Sequence, residues 1–284
     1  MTTVAIVTDS SADLAAPMAA REGITVVAGA ITLAPEAVPE RALPAAAGSV
    51  GRDRQAAVDT GPPAAAIDAF VAAFSALADT HDAIVAVLLS SRLGGSVAAA
   101  MAARDRLAPA VTIEVVDSRS ASLGLGFQVL HAASLARRQT SVETIAAELR
   151  ATSDRYHVVF SVESVEHLRQ SGQIGRAAAM ISEALQLKPL LRIDEGQIVP
   201  YERARTRTRA IAELADFVSE LPDVERCAVL YATNRHDANR LVRVIAAATG
   251  LAPEQLTVNQ IGAVVAAQVG PGALGVAVVE RDVR

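Results

Sequence analysis

A chain of 284 residues with a formal net charge of −5 has no basic field to neutralise phosphates, which argues against nucleic-acid binding. Hydrophobic residues make up 51% of it and aromatics only 3%, with no Trp, so interior volume comes from Ala, Val, Leu and Ile, and stacking on bases is not expected. The one cysteine, Cys227, lies in the apolar run Cys227-Ala228-Val229-Leu230-Tyr231 and reads as a core thiol, leaving no disulfide framework or cysteine metal site.

The length favours two domains, assigned here to residues 1–152 and 153–284. Met1-Thr2-Thr3-Val4 lacks the basic segment and apolar core of a signal peptide, so a cytoplasmic protein is expected. Val4 to Val7 predicts a short strand ending at Thr8-Asp9-Ser10-Ser11, followed by a helix over Ala12 to Arg21 capped by one of those serines. Ile24 to Leu33 is a second apolar segment. Ala34 to Asp59, rich in Ala, Pro, Gly and Arg without periodicity, reads as a loop closed by Thr60-Gly61-Pro62-Pro63. Ile67, Phe70, Val71 and Phe74 then mark one face of a helix over Ala64 to Leu77.

Ala83 to Leu89 predicts a strand and Val97 opens a helical pattern, which makes Ser90-Ser91-Arg92-Leu93-Gly94-Gly95-Ser96 a strand-to-helix turn. Its hydroxyls, glycine backbone and helix-start amides suit a small anionic group, and with no lysine it is not a nucleotide P-loop. Val111 to Val116 is another strand, ending at Asp117-Ser118-Arg119-Ser120 before helical stretches over Leu123 to Arg137 and Val142 to Leu149. Alternating strand and helix argue a parallel sheet covered on both faces. Three turns, at Asp9-Ser10, Ser90-Ser91 and Asp117-Ser118, then fall along the sheet edge where open α/β folds bind ligands. Each serine or aspartate alone is also explained as a helix cap.

The second half mixes hairpin and crossover signals. Strand Tyr156 to Val162 precedes helical stretches Glu163 to Gln170 and Gly175 to Leu185, separated by a C-cap at Ser171-Gly172. Asp194-Glu195-Gly196 joins two strands as a hairpin. Strand Cys227 to Tyr231, helix Ala238 to Ala248, and strands Leu256 to Ile261 and Ala273 to Val279 follow, an α+β pattern. The uncharged run Ile261 to Val279 is long enough to raise a membrane span. Gln268 and Gly270-Pro271-Gly272 interrupt it, and two strands and a turn are expected there instead.

Thr8-Asp9-Ser10, Ser90 to Ser96, Val116-Asp117-Ser118 with Gly124 and Gly126, Leu168 to Arg176, Leu187 to Leu190, the run around Arg205-Thr206-Arg207 and Gly270 to Gly275 together resemble, in order, the motifs of DegV family proteins. The resemblance implies a two-domain α/β protein, an N-terminal Rossmann-like parallel sheet flanked by helices and a C-terminal α+β domain, with one long-chain fatty acid held between them. It implies a lipid carrier that is not itself the catalyst, works without cofactor or metal, and in several members serves an ATP-binding fatty acid kinase subunit that phosphorylates the carboxylate. Carried over by position, Thr60, Ser90, Ser91, Ser96 and Gln268 are ligand contacts, with Asp9, Ser10, Gly94, Gly95, Asp117 and Ser118 as turn support. Arg205 matches a kinase-docking arginine, although Arg203, Arg205, Arg207 and Arg209 read equally as a solvated basic face.

This chain departs from the family pattern at three places: Gln268-Val269 stands where the family has histidine and threonine, Gly94 and Ser96 where it has serine and threonine, and Gly61-Pro62-Pro63 where it has serine and glutamine. Glutamine can donate a hydrogen bond but cannot carry charge. A buried carboxylate needs donors, which hydroxyls and amides supply without fixed cations. Two rival readings stay open: a serine hydrolase, against which stand the missing Gly-x-Ser-x-Gly elbow and five histidines (His81, His131, His157, His167, His236) in no triad spacing, and a phosphate- or nucleotide-binding protein, for which no glycine-rich fingerprint is present.

Overall fold

Strands buried on both faces read as continuous apolar runs, and Val4–Asp9 and Ala83–Leu88 are of that kind. The computed structural model describes residues 3–28, 30–33, 36–39, 62–173 and 187–281. Its first unit runs to Asp154 and contains β1 (Val4–Asp9), α1 (Ala16–Arg21), β2 (Ile24–Val27), β3 (Ala30–Leu33), β4 (Glu36–Pro39), α2 (Ala64–Ala78), β5 (Ala83–Leu88), α3 (Ser96–Leu107), β6 (Thr112–Asp117), α4 (Ser122–Arg137) and α5 (Val142–Ala151). Four strands pair in parallel in the order β2-β1-β5-β6, and β3 and β4 form a separate antiparallel pair. One face packs Val7, Ile84, Ala86 and Leu88 against Phe70 and Phe74 of α2 and the alanines 99, 100 and 103 of α3. The opposite face is covered by α4 and α5, and α4 is buried over most of its length.

The second unit begins at Arg155 and contains β7 (Tyr156–Ser161), α6 (Glu166–Gln170), β8 (Lys188–Asp194), β9 (Gln197–Ala204), α7 (Arg207–Glu220), β10 (Val224–Tyr231), α8 (Arg235–Thr249), β11 (Leu256–Gln260), α9 (Ala263–Val269) and β12 (Leu274–Glu280). Its sheet has the order β11-β10-β12-β7-β8-β9, parallel only between β10 and β11. Val159, Leu190, Val229 and Val276 of the sheet pack on Ile211 and Leu214 of α7 and Leu241 and Ile245 of α8. Fully burying side chains of this size stabilises by about 1.5–3 kcal/mol each. The β8–β9 hairpin turns at Glu195 and Gly196, whose φ values of 48° and 77° are those of the turn that matches strand twist. Among the described residues no helix is long and apolar enough to cross a membrane.

Four elements differ from expectation. The helix expected from Ala12 to Arg21 starts only at Ala16, without a side-chain cap, because Asp9 takes the Ser11 amide and folds Ser10–Ala12 into a 3-10 turn that ends at Asp13 with φ 52°. The helix expected from Glu163 begins at Glu166, where the Ser164 hydroxyl accepts from the Glu166 amide at 3.1 Å. The run from Ile261 to Val279 holds helix α9 and one strand rather than two strands, since Ala263–Val269 closes helical bonds as far as Gly270. Helix α7 was not expected, although Thr206 caps it and Ala210, Ile211, Leu214, Ala215 and Val218 form its buried face. The helix expected over residues 175–185 lies outside the described residues, as does the loop expected over 34–59 apart from β4.

Cys227 is 3% exposed, and burial pushes its thiol up to about 12. Because the folded value is the raised one, this thiol favours the fold fully below the ordinary thiol value of about 8.5 and loses that contribution as pH climbs toward the folded value. The native protein at pH 8 is therefore expected to resist a disulfide reagent and to react with one equivalent once denaturant is added; rapid native labelling would contradict the buried assignment.

Candidate functional site

In the first unit β2 and β5 lie on opposite sides of β1, so strand order reverses between β1 and β5, and their carboxyl ends flank the crevice where open sheets bind ligands. Asp9, the last residue of β1, is 2% exposed at this point. Its Oδ1 accepts from the Ser11 amide at 2.9 Å and from the Ser11 hydroxyl, and its Oδ2 accepts from the Leu89 amide at 3.1 Å. One carboxylate thus ties the turn after β1 to the turn after β5. Ser10 opens the 3-10 turn that Asp9 caps.

Ser90 is fully buried and builds the turn from inside. Its amide donates to Ser120 O at 3.0 Å, its carbonyl accepts from Leu93 and Gly94 at 2.9 and 3.1 Å, and its Oγ accepts from the Arg92 amide at 3.3 Å. Ser91 is exposed, and both its amide (3.3 Å) and its hydroxyl (2.5 Å) donate to Asp117. Asp117 also accepts from the Arg119 amide at 2.9 Å, and the Ser118 amide donates to Leu88 O at 3.1 Å, locking the third turn to the second. A Cβ at Gly94 would meet Leu89 Cδ2 at 2.7 Å, so a side chain there would have to displace the end of that leucine.

The turn then feeds α3. Gly95 is its N-cap and supplies no side-chain bond, Ser96 is its first residue, and its first turn holds no acidic side chain. The first amides of a helix have no intrahelical acceptor and carry partial positive charge, so this end of α3 offers donors to an anion.

Asp9, Ser10, Ser90, Ser91, Gly94, Gly95, Ser96, Asp117 and Ser118 therefore fall on one sheet edge of the first unit. Gln268 belongs to the second unit, partly buried in the last turn of α9, and Arg205 is exposed between β9 and α7. Thr60 lies outside the described residues. Sequence reasoning missed two polar features beneath the turns. The Ser122 hydroxyl donates to Asp13 at 2.5 Å, and fully buried Gln128 donates to the carbonyls of Ser118 and Gly124 at 3.0 and 3.3 Å. Among the described residues the buried side-chain oxygens of Thr8, Ser120 and Gln128 have no hydrogen-bond partner. A glutamine inside the apolar run Leu123 to Leu130 was the available signal.

Among the described residues no group of three or more His, Cys, Asp or Glu could hold a metal ion. His131 pairs with Glu148 at 2.8 Å and His157 with Glu280 at 2.9 Å.

Asp9→Ala would strand buried donors from two turns, each costing about 1–3 kcal/mol. Asp117 is only partly buried, so Asp117→Ala should cost less, about 1 kcal/mol. Urea unfolding of both variants checks this order, and a larger loss at Asp117 would refute the role given to Asp9.

The comparisons with known proteins agree with this architecture along the whole chain. The family model described as "Uncharacterised protein, DegV family COG1307" matches residues 3–281. A DegV domain-containing protein of Streptomyces coelicolor is 35% identical over 288 residues, covering 98% of this chain and 99% of its own. One of Mycobacterium tuberculosis is 39% identical over 206 residues, 72% of each chain. Among solved structures, the one described as "Fatty Acid Binding of a DegV family Protein from Thermus thermophilus" superposes with a TM-score of 0.81 at 27% identity, covering 98% of this chain and 100% of that one. DegV of Bacillus subtilis, described as a fatty acid binding protein, gives 0.76 at 25% identity, with 99% and 100% covered. A model matched over nearly every residue, and relatives this similar over this length, place the chain in the DegV family.

Proposed function

We propose that this protein binds a long-chain fatty acid and presents its carboxylate to a partner rather than transforming it itself. The observation that carries the reading is the start of α3, whose N-cap Gly95 makes no side-chain cap bond, held at the β1–β5 switch point by Asp9 and Ser90. Its amides and the Ser96 hydroxyl are neutral donors, which can take up a carboxylate without the bidentate arginine that would screen it from a phosphoryl donor. The fatty-acid-binding descriptions of the relatives from Thermus thermophilus and Bacillus subtilis support the same ligand class. Burying each methylene of the acyl chain contributes about 0.8 kcal/mol.

In this reading the serines of the turn have different parts. Ser90 is buried beneath it and acts by shaping it, and Ser91 gives its only hydroxyl proton to Asp117, so it reaches a ligand only by exchanging that acceptor. Thr60 and Gln268 are retained as further ligand contacts. An ATP-binding fatty acid kinase subunit is the proposed partner, docking at the exposed Arg205.

Solvent extraction and mass spectrometry of the purified protein are expected to yield one long-chain fatty acid per chain, and delipidated protein is expected to gain thermal stability from oleate but not from ATP. Absence of lipid together with failure to take up added oleate would overturn the reading. Stabilisation by ATP alone would favour a nucleotide site, and a stoichiometric adduct with a serine-reactive phosphonate would favour a hydrolase. Arg205→Ala is expected to leave oleate binding unchanged and to weaken carboxylate phosphorylation by the kinase subunit; loss of oleate binding itself would contradict the docking role.

A further inference from the structure

Helix α4 carries a glutamine where packing alone calls for an apolar residue. Gln128 lies in the run Leu123 to Leu130 and is fully buried, with buried Leu125, Val129 and Ala132 beside it on the helix. Its Nε2 donates to the Ser118 carbonyl at 3.0 Å and to the Gly124 carbonyl, one helical turn back, at 3.3 Å. Its Oε1 has no hydrogen-bond partner among the described residues. A buried oxygen left unserved destabilises the fold, a penalty that leucine would not carry here. What explains the residue is therefore what its amide group donates.

From Ser118 the hydrogen bonds run without a break to the turn that leads into α3. The Ser118 hydroxyl donates to the Ser120 carbonyl at 3.2 Å and accepts from the Ser120 amide at 3.1 Å. The Ser120 carbonyl also accepts from the Ser90 amide at 3.0 Å, and the Ser90 carbonyl takes the Leu93 and Gly94 amides at 2.9 and 3.1 Å. Gln128, Ser118, Ser120 and Ser90 are each no more than 2% exposed. Helix α4 is itself mounted on the turn after β1. The Ser122 hydroxyl donates to Asp13 at 2.5 Å, and a Cβ on Gly126 would lie 2.6 Å from the Ala12 carbonyl oxygen. One buried helix thus packs on the first turn, holds the third through Gln128, and through the third holds the second.

We infer that Gln128 is a positioning residue: it anchors the Ser118–Ser120 turn to α4, and that turn fixes Ser90 and with it the start of α3. A primary amide suits this task because it serves two carbonyls at once and brings no charge into the interior. A lysine or arginine there would bury an uncompensated cation, and a methionine would fill the same space without a donor. Every bond in the path lies within the first unit. The inference rests on the fatty-acid reading for the ligand at α3, whereas the path from α4 to Ser90 stands on its own contacts.

The test uses the full chain, delipidated, with Gln128→Met, Gln128→Asn and Ser118→Ala. Gln128→Met exchanges one unserved buried oxygen, its own Oε1, for another, the Ser118 carbonyl, so its urea midpoint is expected to stay near that of the parent. Hydrogen exchange of the Ser90, Leu93 and Gly94 amides is nevertheless expected to rise about tenfold in Gln128→Met and in Ser118→Ala. Oleate binding is expected to weaken about tenfold in the same variants, while oleyl alcohol, which lacks the carboxylate, weakens much less. Gln128→Asn, one methylene shorter, is expected not to rescue, and Arg138→Ala, an exposed change at the far end of α4, is expected to match the parent. If Gln128→Met does not fold, Ser118→Ala, which removes a single hydroxyl, carries the same comparisons. Unchanged exchange in the variants that fold would overturn the path. A lowered urea midpoint with oleate and oleyl alcohol weakened equally would mark a residue that only supports the fold, and would overturn the positioning role. Failure of the parent itself to bind oleate would instead refute the fatty-acid reading, leaving the exchange result to judge the path.

Discussion

The carboxylate of Asp9 is the constraint on which the first unit depends. A carboxylate accepts only, and it has two oxygens, so one side chain can satisfy donors from two chain segments far apart in sequence. Asp9 does this with Ser11 and Leu89, at the position where strand order reverses. An amide or a hydroxyl at residue 9 would offer one acceptor oxygen in place of the two separate oxygens that the two turns use. Asp117 repeats the device one strand further on, taking the Ser91 amide and hydroxyl and the Arg119 amide. The turn leading into α3 is thus held from both sides before any ligand arrives.

This arrangement resolves an electrostatic difficulty in the site. The carboxylates of Asp9, Asp13 and Asp117 lie on the edge proposed to receive that of the ligand, and like charges would oppose it. Each is already surrounded by donors, and its lone pairs are directed into the turns. What remains for the ligand is the start of α3, where the helix dipole and the first-turn amides, which no intrahelical carbonyl can serve, favour negative charge. A net charge of −5 over the chain also makes such local donors, rather than a global basic field, the source of anion affinity.

Much of the fold was legible in the sequence because its signals are local. Continuous apolar runs marked β1 and β5, a Glu-Gly pair marked the β8–β9 turn, and Asp-Ser pairs marked the ends of β1 and β6. Where reading failed, a longer-range interaction had won. Asp9 diverted Ser10–Ala12 from helix into a 3-10 turn, and the alanines of Ala263–Val269 formed a helix in a run whose valines suggested strand. In the site, spacing placed the serines on one edge correctly but could not say which hydroxyl proton is already given away. That Ser91 serves Asp117 and that Gln128 serves Ser118 are facts of side-chain direction, and no one-dimensional pattern carries them.

The most direct test of the account is a crystal structure of the protein with oleate bound. The oleate carboxylate is expected within hydrogen-bond distance of the Ser96 hydroxyl and the first amides of α3, with the Asp9–Leu89 bond intact. A carboxylate bound away from the start of α3, or held by a charged side chain instead of neutral donors, would contradict it.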